Sequence, residues 1–123
     1  MESDSIILKR SYDFALQIIK IYKQLSFEKK EFILSKQLLR SGTSIGANVN
    51  EAISAESKRD FVHKLGIALK ESREVNYWLN LLTDSKYLDI EATKPIINSN
   101  IAIGKMLTKI ILTTKERHIQ KPG

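Results

Sequence analysis

The sequence predicts an all-α protein, an up-down-up-down antiparallel four-helix bundle formed by residues 1–123 as one domain. Apolar residues recur every three or four positions along nearly the whole chain, which is the period of a helix. No stretch alternates polar and apolar β-branched residues, and the only two prolines are Pro95 and Pro122. The helical stretches are separated by short connections, which join antiparallel neighbours in a bundle.

The helix bounds follow from the apolar stripes and from candidate cap residues. The helices are predicted at about residues 5–24, 28–55, 58–84 and 90–115, with a tail over 116–123 that is expected to fray. Ser26 is a candidate N-cap of the second helix, with Glu28 favourable in its first turn. Ser57 is the candidate N-cap of the third helix, with Asp60 completing an acidic variant of the capping box. Asp89 is placed to cap the fourth helix.

The fourth helix combines an internal proline with an unusually wide apolar surface. Pro95 lacks an N–H group and clashes one turn back, so the helix is expected either to start near Thr93 or to kink there. Apolar side chains cover more than half of its circumference: Ile96, Ile97, Ile101, Ile103, Leu107, Ile110, Ile111 and Leu112. The first helix also has a wide apolar arc. Arcs wider than one bundle core needs predict a second interface, and therefore a homo-oligomer.

Two glycines lie four residues apart inside the second predicted helix. Gly42 and Gly46 each cost about 1 kcal/mol relative to alanine in a helix interior. At 100° per residue they fall on the apolar face with Leu38, Ile45 and Val49. We therefore predict that they permit a close helix crossing, within the bundle or between subunits.

A line of short or uncharged polar residues runs beside that apolar face. It steps by three or four positions through Gln37, Ser41, Ser44, Asn48 and Glu51. The third helix offers Glu71 and Glu74 as partners, and Asn48 facing Glu71 would satisfy both polar groups. Glu51 and Glu71 are therefore not expected to be fully exposed. They form either a general acid/base pair or part of a register-fixing polar network, and we favour the network because nothing else completes a catalytic site.

The polar line also carries a resemblance to a known family. The matching residues in the second helix are Gln37, Arg40, Ser41, Ser44, Ile45, Asn48, Val49 and Glu51. Those in the third helix are Ala68, Glu71, Glu74, Val75 and Leu79. In this pattern the chain resembles the 23S rRNA intervening-sequence proteins over essentially its whole length. It departs from the many members that place proline near the start of the second helix, where this chain has SFEKKE.

The resemblance implies a bacterial four-helix bundle that assembles into a ring-shaped homopentamer with a basic surface. The similar accessory proteins of diversity-generating retroelements form such rings and bind nucleic acid and a reverse transcriptase. Nucleic-acid binding, to RNA in particular, is therefore the function that the resemblance implies for this chain.

The charge of the chain favours an acidic partner. The formal net charge is +6, and residues 105–123 contain five basic residues and one acidic residue, a net charge of +4. Basic side chains of this kind hold phosphates without reading sequence. The candidates are Lys9, Arg10, Lys20, Lys23, Lys29, Lys30, Lys36, Lys105, Lys109, Lys115, Arg117 and Lys121.

Several kinds of chemistry are not expected. The chain has no cysteine, and His63 and His118 lack the spacing of a zinc site. No Gly-Lys-Ser/Thr follows the two glycines of the second helix, and no serine stands in a Gly-x-Ser-x-Gly context. We therefore expect no enzymatic activity, cofactor or metal. No apolar run approaches a membrane span and the start does not resemble a signal peptide, so a cytoplasmic location is expected.

The sequence thus predicts a non-enzymatic, oligomeric helical bundle that binds nucleic acid through repeated basic patches, with RNA as the favoured ligand. The alternative is a scaffold or accessory subunit that docks a nucleic-acid enzyme such as a reverse transcriptase. The two hypotheses differ in whether the partner is held mainly by charge, because phosphate binding weakens as salt rises.

Overall fold

The computed structural model describes residues 2–120, with side chains described for residues 2–117. Four helices account for most of this part of the chain: α1 Glu2–Phe27, α2 Leu34–Ile53, α3 Lys58–Asp84 and α4 Ile90–Gln120. Residues 2–120 contain no strand, so the all-α prediction is confirmed. Within this range no helix is long and apolar enough to cross a bilayer.

The helices pack as neighbours in chain order, with α4 closing against α1. Contacting positions run in opposite directions along neighbouring helices. Ser11 and Ile18 of α1 meet Gly46 and Gly42 of α2. In the same way Glu51 and Arg40 of α2 pair with Lys64 and Glu71 of α3, and Ser72 and Leu69 of α3 lie against Asn100 and Gly104 of α4. Each neighbouring pair is therefore antiparallel, which is the up-down-up-down arrangement that the short connections predicted.

One apolar core runs along the bundle axis, and every helix contributes fully buried side chains to it. They include Phe14 and Ile18, Leu38 and Ile45, Leu65 and Leu79, and Ile103 and Leu107. These residues fall at helical spacings in the sequence, so the apolar period alone brings them to the inner faces. Burial of one such side chain contributes about 1.5–3 kcal/mol to the free energy of unfolding.

Gly42 and Gly46 lie where α2 crosses α1. A Cβ atom at Gly42 would stand 2.7 Å from Cγ1 of the buried Ile18, well inside contact distance. A Cβ atom at Gly46 would stand 3.3 Å from the backbone oxygen of Ser11. The close approach is thus made within the bundle, and the missing side chains allow it.

The start of α2 differs from the prediction that placed it near residue 28. Ser26 is buried inside α1, where its hydroxyl donates to the backbone oxygen of Tyr22 at 2.8 Å, so it does not cap α2. The connection includes Lys30 in a left-handed conformation, with φ of 58°. The carboxylate of Glu31 then accepts the backbone N–H groups of residues 33, 34 and 35. The Glu31 carboxylate thus caps the start of α2, which lies six residues later in the chain than predicted.

Other helix ends also differ from prediction by a few residues, whereas α3 spans Lys58–Asp84 as predicted. α1 begins at Glu2 with acidic residues in its first turn, and α2 ends at Ile53 rather than near residue 55. α4 starts at Ile90 and passes through the exposed Pro95, which removes one backbone hydrogen bond. It continues beyond the predicted end at residue 115 to Gln120. Residues 121–123 of the tail lie outside the described range.

Two predicted caps are confirmed. The hydroxyl of Ser57 accepts the backbone N–H of Asp60 at 3.0 Å, at the start of α3. A carboxylate oxygen of Asp89 accepts the backbone N–H of Ala92 at 3.0 Å, at the start of α4. Each cap satisfies one of the N–H groups that a helix start leaves without an intrahelical partner.

Glu31 makes stability depend on pH. Burial of its carboxyl acts to raise the pKa, but the backbone N–H donors of Ser35, Leu34 and Ile33, with the Ser35 side chain, outweigh this effect and lower it. A lowered folded-state pKa means that the stabilisation is complete above the unfolded pKa of about 4.3. It is lost as the pH falls through the folded value.

Glu31→Ala is expected to lower the free energy of unfolding at neutral pH by about 1–2 kcal/mol, because helix-start N–H groups lose their acceptor. Urea unfolding across a pH series measures this. The deficit relative to wild type is expected to shrink below pH ~4. Glu28→Ala removes the same charge from the exposed start of the same connection and serves as the control. An equal effect of both variants at neutral pH would show that charge alone matters.

Candidate nucleic-acid interface

The polar line of α2 bonds mainly to its own backbone, which differs from the predicted network with α3. The Ser41 hydroxyl donates to the backbone oxygen of Gln37 at 3.0 Å, and the Ser44 hydroxyl donates to that of Arg40 at 2.6 Å. The Asn48 amide donates to the backbone oxygen of Ser44 at 2.8 Å, so the predicted pairing of Asn48 with Glu71 is wrong. Short polar side chains reach the preceding turn more easily than a neighbouring helix.

Arg40 supplies the connection between α2 and α3 that the polar line does not. Its guanidinium donates to Glu71 at 3.3 Å and to Glu74, and Glu74 also accepts from the indole N–H of Trp78 at 3.1 Å. The Glu71 side chain is 13% exposed, as expected for a carboxylate at a helix interface. Arg40 itself is half-exposed, so solvent screens the pair. This group joins α2 to α3 and pairs both Glu71 and Glu74 with one guanidinium.

Glu51 does not behave as predicted. Its side chain is 60% exposed and pairs with Lys64 of α3 at 3.2 Å. The prediction of partial burial is wrong because Glu51 lies at the outer edge of the α2–α3 contact, where a long lysine reaches it from outside. Glu51 and Glu71 therefore pair with different cations. In the part of the chain with described side chains, no group of three or more metal-ligating residues could hold an ion.

The predicted phosphate-binding residues do not form one patch. The side chains of all those within residues 2–117 are exposed, and Lys121 lies outside the described residues. Lys20, Lys23, Lys29, Lys30 and Lys36 belong to the end of the bundle where α1 passes into α2. Lys105, Lys109, Lys115 and Arg117 lie along the second half of α4, toward the opposite end. Lys9 is paired with Asp13 at 2.9 Å, and Arg10 borders a shallow groove between α1 and α4.

A groove of about 620 Å³ lies between α3 and α4 and collects cations from both helices. Its apolar lining comes from Leu69, Ile101 and Leu112, and its basic lining from Arg73, Lys105 and Lys109. Among residues 2–117, none of these three cations is in an ion pair. Glu116 is the one acidic side chain in the lining, so the groove carries a net positive charge.

The base of the groove is fixed by a buried polar pair that the sequence patterns did not predict. The Ser72 hydroxyl donates to the side-chain oxygen of Asn100 at 2.8 Å, and the Asn100 amide donates to the backbone oxygen of Ser72 at 2.9 Å. Beside it, a Cβ atom at Gly104 would stand 3.5 Å from the Ser72 hydroxyl oxygen. The two helices are therefore held close here, with Lys105 and Lys109 on the outer side of α4.

The basic lining continues toward the end of the bundle. A second cavity of about 510 Å³ lies between the start of α1, the start of α3 and the second half of α4. Lys109 lines both cavities, and Lys58 and Arg117 join it in the second. Lys109 thus connects the basic lining of the two cavities along the second half of α4.

Arg73 is the groove residue that the sequence interpretation missed. It lies on the exposed face of α3 and does not belong to any run of basic residues, so charge counting along the chain does not reveal it. The available signal is its helical spacing, because Lys70, Arg73 and Tyr77 follow at steps of three and four. His63 is exposed on the same helix.

The fold and the groove together define a small four-helix-bundle protein with a basic surface cleft. The chain belongs to the family of 23S rRNA-intervening sequence proteins, whose family model matches residues 3–109. It is similar to a crystal structure described as a protein of unknown function from the S23 ribosomal protein family of Bacteroides thetaiotaomicron, with 49% sequence identity and a TM-score of 0.87. That similarity covers 89% of this chain and 97% of the other. A comparison with curated proteins gave no match.

Proposed function

We propose that this protein is a non-enzymatic, homo-oligomeric bundle that binds nucleic acid through the α3–α4 groove, with RNA as the favoured ligand. The observation that carries the proposal is the convergence of Arg73, Lys105 and Lys109 on one groove without carboxylate partners among the described side chains. Cations kept free at a concave surface attract phosphates, because no internal ion pair has to be broken first.

Assembly into a ring would strengthen such binding. The exposed apolar residues outside the core, such as Tyr12 and Leu16 of α1 at 64% and 51% exposure, provide surface for contacts between subunits. A ring repeats the groove, so several weak phosphate contacts act together on one strand. We expect a pentamer of about 70 kDa from the 14.1 kDa chain. Light scattering measures this mass, and a monomer would remove the multivalent part of the proposal.

The proposal predicts RNA binding that weakens steeply with salt. Three to five phosphate contacts to a single strand give a slope of about −2 to −3.5 in log affinity against log salt concentration, so raising salt from ~50 to ~200 mM should weaken binding about 15- to 130-fold. Fluorescence anisotropy with a labelled RNA measures both values. Absence of binding at low salt would refute the proposal.

A second function is favoured by a different feature, the cluster of exposed apolar residues near the connection between α1 and α2. Phe27, Phe32 and Ile33 are 68%, 50% and 76% exposed, far above the values of core residues. Such a patch fits docking to another protein, for example a nucleic-acid enzyme. Capture of one defined protein that resists high salt, together with no RNA binding, would favour this scaffold function.

A further inference from the structure

We infer that the α3–α4 groove holds its nucleic acid as a single strand, with bases on its exposed apolar side chains and on the neighbouring Tyr77, and phosphates on Arg73, Lys105 and Lys109. This inference rests on the proposed function and specifies its ligand.

The first observation is the apolar surface inside the basic groove. Ile101 and Leu112 are 47% and 55% exposed, and Lys105 and Lys109 lie between them on the same helix. A duplex presents phosphates and sugars on its outside, which would cover these side chains without compensating for their exposure. A single strand can turn its base faces onto them, and so remove apolar surface from water on both partners.

The second observation is an exposed aromatic ring beside the cations. Tyr77 follows Arg73 by four residues on α3, so the two side chains lie on one face of the helix. The ring of Tyr77, which lies beside the groove lining rather than in it, is 57% exposed and packs against Trp78 with ring centroids 5.0 Å apart and planes at 73°. Trp78 is in turn fixed by its hydrogen bond to Glu74. The exposed ring of Tyr77, one helical turn from Arg73, therefore offers a stacking surface for a base next to the groove cations.

The third observation is the length of the groove. Its lining on α4 runs from Asn100 to Glu116, which corresponds to about 24 Å at the helical rise per residue. Stacked nucleotides repeat about every 3.4 Å, so the groove accommodates about seven of them. Asn76 and Thr108 add neutral polar groups to the same lining, which suit base edges better than phosphates.

The test compares single-stranded and duplex probes of one sequence, each about 12 nucleotides long, at one salt concentration. The single strand is used as RNA and as DNA, because the two share bases and phosphates and differ in the 2′-hydroxyl. Each single strand is expected to bind at least about tenfold more tightly than its duplex. Trp78 is the sole tryptophan, so its emission reports stacking at Tyr77 and should change with the single strands and not with the duplex.

Two surface variants test the apolar part separately from the charges. Tyr77→Ala and Leu112→Ser should each weaken single-strand binding about fivefold or more and leave the salt slope and duplex binding unchanged. Tyr87→Ala removes a tyrosine that is 38% exposed in the connection between α3 and α4, outside the groove lining, and should change none of these values.

Three results would overturn the inference. They are equal or tighter binding of the duplex, an unchanged affinity in both groove variants, and loss of oligomer mass on Leu112→Ser, which would make the groove a contact between subunits. Each of the first two can occur while RNA binding persists. They therefore differ from failure of the proposed function, in which neither probe binds at low salt.

Discussion

Replacing Arg73, Lys105 and Lys109 together by glutamine is expected to weaken RNA binding about 100-fold at ~0.1 M salt. Loss of three phosphate contacts to a single strand reduces the slope of log affinity against log salt concentration by about 2. Over the tenfold range from 0.1 M to the ~1 M at which phosphate attraction is screened, a slope difference of about 2 corresponds to about 100-fold in affinity. The three side chains are exposed, so the fold should be unaffected. Anisotropy titrations at several salt concentrations measure the affinity and the slope together.

The matched control removes three lysines from the opposite end of the bundle. Lys20, Lys23 and Lys36, all exposed, are replaced by glutamine, which changes the net charge by the same amount. We expect this variant to retain most of the affinity and a slope close to that of wild type. If the two triple variants lose affinity equally, binding follows net charge alone and the groove has no special role.

Gly42→Ala is expected to destabilise the fold more than alanine at any other glycine among the described residues. The new Cβ would stand 2.7, 2.8 and 3.1 Å from Cγ1, Cγ2 and Cβ of Ile18, which is fully buried. These atoms lie near the backbone, so the side chain cannot move aside without shifting α1 against α2. Overpacking of this kind costs about 1–3 kcal/mol, against a gain of up to ~1 kcal/mol from removing glycine from a helix. We expect a net loss in the free energy of unfolding.

Gly66→Ala provides the matched control on α3. Gly66 is exposed and helical, and a Cβ atom there would meet nothing within 4 Å. This variant is expected to gain about 0.5–1 kcal/mol, because only the backbone effect of glycine remains. Urea unfolding of both variants measures the difference in sign. Stabilisation by Gly42→Ala would show that α1 and α2 are less tightly packed at this crossing than the distances indicate.

The helices of this fold could be predicted because their signals are local. Leu38, Ile45 and Val49 fall on one face by spacing alone, and the Ser57 cap lies three residues before the N–H group that it accepts. The start of α2 could not be predicted, because the cap that fixes it, Glu31, is of a residue type that usually remains exposed. Its burial depends on how the connection turns at Lys30, which the sequence pattern does not encode.

The site was less predictable than the fold because it is assembled across helices. Lys105 and Lys109 were identifiable from their density along α4, whereas Arg73 joins them only through the antiparallel packing of α3. The partners of Glu71 and Asn48 were wrongly predicted for a related reason. Spacing places side chains on the same face, but the length of Arg40 decides which of them reaches the next helix.

The most direct test of the groove as the nucleic-acid interface is photochemical crosslinking of wild-type protein to a single-stranded RNA that carries 4-thiouridine. Adducts are mapped by peptide mass, which requires no variant and works for any oligomer. We predict adducts within residues 69–77 of α3 and 101–112 of α4, the two sides of the groove. Adducts confined to residues 20–36, at the opposite end of the bundle, would contradict this account.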